Sequence, residues 1–251
     1  MKSHKCQMTL SIVMLSLVAS ASAYADGHEK KSSDDGFETI FNGKNLIGWH
    51  AIPEDSAGDW TVEDGIIVAR GSVDQLAYLV WEDEQLKDFE LELSYRFPDD
   101  GNSGIEIHGI PDKSGKRPFE GYHADFGHVG IGKGVLGAWD FHFATREEYP
   151  CFRGDNLVIN EDGKWHKSDI EDAITREEIN RGEWNHVRVV AKGTHYQFFI
   201  NGKIASEFTD NAKEGRLDQG LIGLQIHDKG MRVDFKDIRL KKLASDGSET
   251  K

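Results

Sequence analysis

Three short stretches of the chain each set two polar, chemically capable side chains around one small or apolar residue. They are Glu106-Ile107-His108, His123-Ala124-Asp125 and Gln225-Ile226-His227. On a β-strand, residues two apart point to the same face. Each stretch is therefore predicted to project an acid, amide or imidazole pair from one side of a sheet and to bury its central residue on the other. If the three strands are neighbours, that face gathers three histidines and two carboxylates. Such a donor set suits Zn²⁺ or a similar first-row cation. It suits metal-free acid–base chemistry near neutral pH equally well. Spacing alone leaves both open.

The elements that must position these residues read as strands. Asp88 to Phe97 alternates, with Phe89, Leu91, Leu93, Tyr95 and Phe97 on one side and Glu90, Glu92, Ser94 and Arg96 on the other. Trp184 to Val190 is a further strand, and His195 to Ile200 and Lys203 to Phe208 flank Asn201-Gly202, a strong hairpin signal. Glu63-Asp64-Gly65 and Glu161-Asp162-Gly163 mark other turns, and Leu221 to His227 and Met231 to Leu243 read as a closing hairpin. Between them, 109–121 and 127–167 are glycine-rich and read as irregular, functional loops. Only 175–181 suggests a helical turn, with Thr175 at its N-cap. Short strands with Gly turns and no long helix predict an all-β sandwich or jelly roll.

Residues 1–25 read as a signal peptide: Lys2 and Lys5, an apolar run from Leu10 to Val18, then Ala23-Tyr24-Ala25. Residues 26–36 are polar and read as a disordered lead-in, and 37–245 as one domain. No later apolar run approaches the ~20 residues of a spanning helix, so an exported protein, periplasmic or extracellular, is expected. Cleavage removes Cys6 and leaves Cys151 alone, so no internal disulfide is expected. It also leaves 28 basic against 44 acidic side chains, a net of −16. That charge argues against nucleic acid and anionic membranes as partners.

Other motifs carry less. Trp49, Trp60, Trp139 and Trp165 could stack on a sugar ring, although tryptophan in a sandwich is more often core. Arg146 and Arg153 could anchor hydroxyls or a carbonyl, and Asn102 opens the turn that delivers Glu106 and His108 to a strand rim. No nucleophile elbow, phosphate loop or CxxC pair is present. Glu90 and Glu92 alternate on the polar face of an ordinary strand and do not make a glycosidase pair.

Six segments in order resemble the 3-keto-disaccharide hydrolase family across nearly the whole mature chain. They are 37–50 (FETIFNGKNLIGWH), 60–69 (WTVEDGIIVA), 88–109 (ending GNSGIEIHG), 121–127 (GYHADFG), 182–203 (with its NGK hairpin) and 220–243 (GLIGLQIHDKGMRVDFKDIRLKKL). The resemblance implies a concanavalin A-like jelly roll of two curved antiparallel sheets, and activity on glycosides oxidised at C3. A C3 ketone acidifies the C2 proton, so a base can remove it and the enolate can expel the C1 oxygen; water addition completes net hydrolysis. On this basis Glu106, His108, His123, Asp125 and His227 are the expected catalytic residues, with Glu106 or Asp125 as base. Gln225, Trp139, Arg153 and Asn102 are expected to bind substrate. His108, His123 and His227 are the expected ligands of one divalent ion such as Zn, Co, Mn or Ca. The alternative is a carbohydrate-binding module that uses the same face without catalysis.

Overall fold

The computed structural model describes residues 35–128 and 134–244, without the side chains of 82–84. The signal peptide and nearly all of the lead-in lie outside the described residues. The strands are β1 (Glu38–Thr39), β2 (Trp49–Ile52), β3 (Trp60–Glu63), β4 (Ile66–Arg70), β5 (Ala77–Leu86), β6 (Phe89–Arg96), β7 (Gly104–Pro111) and β8 (Phe119–Asp125). They continue as β9 (Trp139–His142), β10 (Asp155–Ile159), β11 (Trp165–Asp169), β12 (Asn185–Lys192), β13 (His195–Ile200), β14 (Lys203–Asp210), β15 (Gly220–Ile226) and β16 (Arg232–Lys242). Among the described residues, ten strands form one sheet in the order β11-β10-β14-β13-β12-β6-β16-β4-β3, with β1 on β16, and six form the other, β2-β5-β15-β7-β8-β9. Pairing is antiparallel apart from β10 beside β14. This is the expected all-β, concanavalin A-like sandwich.

The apolar alternation read from the sequence makes the core. Phe89, Leu91, Leu93 and Tyr95 of β6 are buried beside Val187 and Val189 of β12, which are the register partners of Leu93 and Leu91. From the smaller sheet, Ile105, Ile107, Tyr122, Ala124, Leu224 and Ile226 face them in the same cluster. Each large apolar side chain so buried stabilises the fold by roughly 1.5–3 kcal/mol. The predicted turns are present: Asn201 and Gly202 both take positive φ (50° and 81°), as a two-residue hairpin requires. Thr175 caps a short 3-10 turn, Arg176–Glu178, through a capping box.

Two expectations are corrected. The stretch 127–167 is not irregular, because it holds β9, β10 and β11, three short edge-region strands of four or five residues. Their brevity hid the period. Nor do β15 and β16 close a hairpin, since β15 pairs with β5 and β7 in one sheet while β16 pairs with β4 and β6 in the other. The 228–230 turn instead carries the chain between layers, pinned where Met231 Sδ accepts the backbone N–H of His227 at 3.2 Å.

Candidate active site

The smaller sheet sets its polar residues on the face turned away from the main core. Register fixes the rows: Glu106 of β7 lies opposite His123 of β8, and His123 opposite Asp140 of β9. Gly121 lies opposite His142 in the next row, and Gly104 opposite Asp125 in the row on the other side. Glycine at 104 and 121 is a spatial requirement. A Cβ at Gly104 would fall 2.2 Å from His123 Nε2, and one at Gly121 would fall 2.6 Å from Glu106 Oε1.

Glu106 is the centre. Its Oε2 lies 3.0 Å from His123 Nδ1 and 3.0 Å from His142 Nδ1. The two imidazoles stack, with centroids 4.8 Å apart and planes 24° apart. Glu106 and His123 are fully enclosed, whereas the His142 side chain keeps 12% of its surface open. Two atoms of the cluster are buried without a hydrogen-bond partner, Glu106 Oε1 and His123 Nε2. Burial would raise the Glu106 carboxyl, but the charge and hydrogen bonds of His142 and His123 outweigh it and hold it at about 2. Burial lowers His123, against the pull of Glu106.

Burial also pushes Asp125 well above the usual carboxylate range, reinforced by the nearby Asp140 charge and opposed by the Gly127 N–H, which it accepts at 2.7 Å. Asp140 is half-buried, and its carboxylate makes no hydrogen bond to another described residue.

These shifts set an acid limb for stability. As pH falls below about 6.5, the unfolded chain protonates its histidine before folded His123 can. Below about 4.5 the unfolded glutamate follows, while folded Glu106 stays ionised to about 2. Both effects favour the unfolded state as pH falls. Asp125 acts the other way, because its raised carboxyl takes up a proton on folding as pH falls. The expected result is therefore a difference: from pH 6.5 to 4 the melting temperature of His123→Gln should fall less steeply than that of the wild type. Calorimetry across that range showing identical slopes for the two proteins would refute the assignment.

The other expected site residues separate. His108 is not on this face. A β-bulge between Ile107 and Ile110, with His108 at φ +50°, breaks the alternation. Its ring turns into the core against Phe89, Tyr122 and Tyr196, with Nε2 2.9 Å from the Lys87 carbonyl oxygen. His227 lies past the end of β15, its Nδ1 2.9 Å from Asp228 Oδ1, away from the cluster. Of the three histidines expected to hold a metal, only His123 belongs to the one donor group found among the described residues, Glu106, His123 and His142.

Trp139 is core, edge-on to Tyr196, Phe198 and Phe208, because position 139 faces inward where 140 faces out. Arg153 donates to the Leu136 carbonyl at 2.6 Å. Arg146 is held by fully buried Asp210 at 2.6 Å and stacks on Phe143 and Tyr149. Asn102 is buried, with Oδ1 unpartnered against the Gly127 backbone. Gln225 stays on the polar face and donates to the Tyr78 hydroxyl at 3.0 Å. The missed histidine carried the same signal as the others, for Asp140-Phe141-His142 repeats the polar-x-polar spacing inside a stretch read as loop.

Comparison with known proteins adds lineage to this geometry. A curated 3-keto-disaccharide hydrolase from Bacteroides thetaiotaomicron is 27% identical over 250 residues, covering 83% of this chain and 79% of that protein. A crystal structure of a provisionally named glycosyl hydrolase from Parabacteroides distasonis superposes with TM-score 0.54 at 23% identity, covering 84% of this chain and 95% of that one. The exoplasmic/lumenal domain of VIP36 superposes with TM-score 0.53 at 11% identity, covering 86% and 92%. These two structures share the fold. Residues 36–241 match the 3-keto-alpha-glucoside-1,2-lyase-like domain, and the chain belongs to that family.

Proposed function

We propose that this protein is an exported enzyme that cleaves 3-keto-glycosides at the Glu106–His123–His142 cluster. The observation that carries the reading is one buried, ionised carboxylate shared by two imidazoles, with Glu106 Oε1 and His123 Nε2 left open beside it. Orphaned buried polar groups are costly, and two in one cluster leave hydrogen-bonding capacity that a substrate or cation would take up. Family membership and the activity for which the Bacteroides relative is named support the same substrate class.

Each chain residue has a distinct task. Asp140, half-buried, untied and opposite His123, removes the C2 proton beside the ketone. The electron pair forms the enolate and then the C1–C2 double bond as the C1–oxygen bond breaks. Asp125, kept protonated by its enclosure, gives its proton to the leaving oxygen. Water adding OH at C1 and H at C2 then yields the free keto sugar. Glu106 holds both rings in place, and the buried setting strengthens every electrostatic contact.

The donors also fit a divalent cation. One carboxylate and two imidazoles whose ligand atoms lie within 4.8 Å of one another make a donor set for a first-row cation. Glu106, His123 and His142 would hold it, and when bound it would supply Lewis-acid stabilisation at the C3 oxygen. Binding would also displace the Nδ1 protons now shared with Glu106.

The test combines a chromogenic 3-keto-α-glucoside, its unoxidised parent and a chelator, with calorimetric titration of Zn²⁺ or Co²⁺ in two buffers. Expected results are aglycone release from the keto sugar alone and proton release on metal binding. Tight binding of the keto sugar without product would point instead to a carbohydrate-binding module.

A further inference from the structure

Tyr78 of β5 and Gln225 of β15 face each other in register, both buried, on the same face as the Glu106 cluster. The Gln225 amide donates to the Tyr78 oxygen at 3.0 Å. An amide nitrogen cannot accept a hydrogen bond, so the hydroxyl hydrogen must point elsewhere. No other described residue is hydrogen-bonded to that hydroxyl, and Gln225 Oε1 is itself buried without a partner. The pair thus presents one open donor and one open acceptor side by side.

The Tyr78 ring is aimed at the cluster. A Cβ at Gly223 would sit 3.3 Å from ring Cδ1, so the ring lies across that glycine, and Gly223 is the register partner of Glu106. Phe119 stacks on the ring at 5.8 Å and 26°, fixing its plane. Burial and the Glu106 charge push the phenol well up, which keeps it a donor. A bond that merely ties β5 to β15 is redundant, because their backbone ladder already joins them from Gly220 to Ile226.

We infer that Tyr78 donates a hydrogen bond to the C3 oxygen of the keto sugar, with Gln225 as the positioning residue that aims the hydroxyl and accepts from a neighbouring sugar hydroxyl. This rests on the function proposed above and deepens it. A ketone oxygen accepts and never donates, matching the open O–H. As the C2 proton leaves, negative charge builds on that oxygen and the bond strengthens, which lowers the barrier more than it tightens binding.

The experiment is steady-state kinetics of Tyr78→Phe and Gln225→Leu on a 3-keto-α-glucoside, with inhibition by 3-keto-glucose and by glucose. Tyr78→Phe should lower kcat about 100-fold and move KM less than about threefold. Inhibition by 3-keto-glucose should weaken about tenfold while that by glucose is unchanged. Gln225→Leu should lower kcat about tenfold, since the hydroxyl remains but is no longer aimed. A Tyr78→Phe kcat within about threefold of wild type, or equal weakening of both inhibitors, would overturn the inference. Wild-type protein inert on the keto sugar would instead sink the function proposed above, and this inference with it.

Discussion

Glu106→Gln should reduce turnover of a 3-keto-α-glucoside by on the order of 1,000-fold while leaving the protein folded. Glutamine matches glutamate in size, so packing against Gly121 is retained, but it brings no charge. Two Nδ1–H groups now converge on one carboxylate oxygen at 3.0 Å each. An amide oxygen is a weaker acceptor, and an amide nitrogen placed at the Oε2 position would face two donors. The rings would change tautomer or turn, and first-row cation affinity would fall with the lost carboxylate. Kinetics together with metal titration of the variant measure both effects. Activity within tenfold of wild type would place the chemistry elsewhere. Melting temperature should fall by several degrees, because the two imidazoles stabilise the buried charge by more than its enclosure costs.

The second large effect concerns a histidine that is not in the site. His108→Ala should destabilise the fold by about 3 kcal/mol, from a cavity among three aromatic rings and from the Lys87 carbonyl left without the imidazole that donates to it. For a domain of this size that lowers the melting temperature by about 6–12 °C. Phe89, Tyr122 and Tyr196 surround the ring, and its two nitrogens reach the carbonyls of Lys87 and Leu217 at 2.9 and 3.3 Å. Protein still folded at low temperature should turn over at near the wild-type rate. His142→Ala should do the reverse, losing about 100-fold in kcat with a small change in melting temperature, since that ring is partly open and touches Glu106 directly. Melting curves and kinetics of the two variants, read together, decide the matter. A catalytic loss in His108→Ala without loss of stability would return that residue to the site.

How far the sequence reaches is clearest in these two histidines. Both follow an apolar residue that follows an acid, Glu106-Ile107-His108 and Asp140-Phe141-His142. The spacing argument applies equally to each, and it holds only where the strand is regular. On β9 it is regular, so His142 shares the polar face with Asp140 and, across the register, with His123. On β7 a bulge at His108 sends the third residue to the opposite face. A bulge depends on what the neighbouring strand requires, and here Gly220 of β15 packs against the His108 backbone so closely that its missing Cβ would fall 2.3 Å away. Tyr78 was hidden for a different reason. It sits in the run Ala77-Tyr78-Leu79-Val80-Trp81, apolar on both sides, where no period marks which residue turns toward the polar face.

Alternation, glycine turns and six ordered family segments were enough to determine an all-β sandwich and to single out the polar pairs on the strands that became β7, β8 and β15. Those are local properties, set by backbone sterics and by which face of a strand is apolar. Tertiary structure alone decided the membership of the site. Which histidine meets Glu106, which tryptophan enters the core, and which tyrosine lies over a glycine depend on strand order and register. Contacts between residues far apart in the chain set those, and the spacing within one strand carries no record of them.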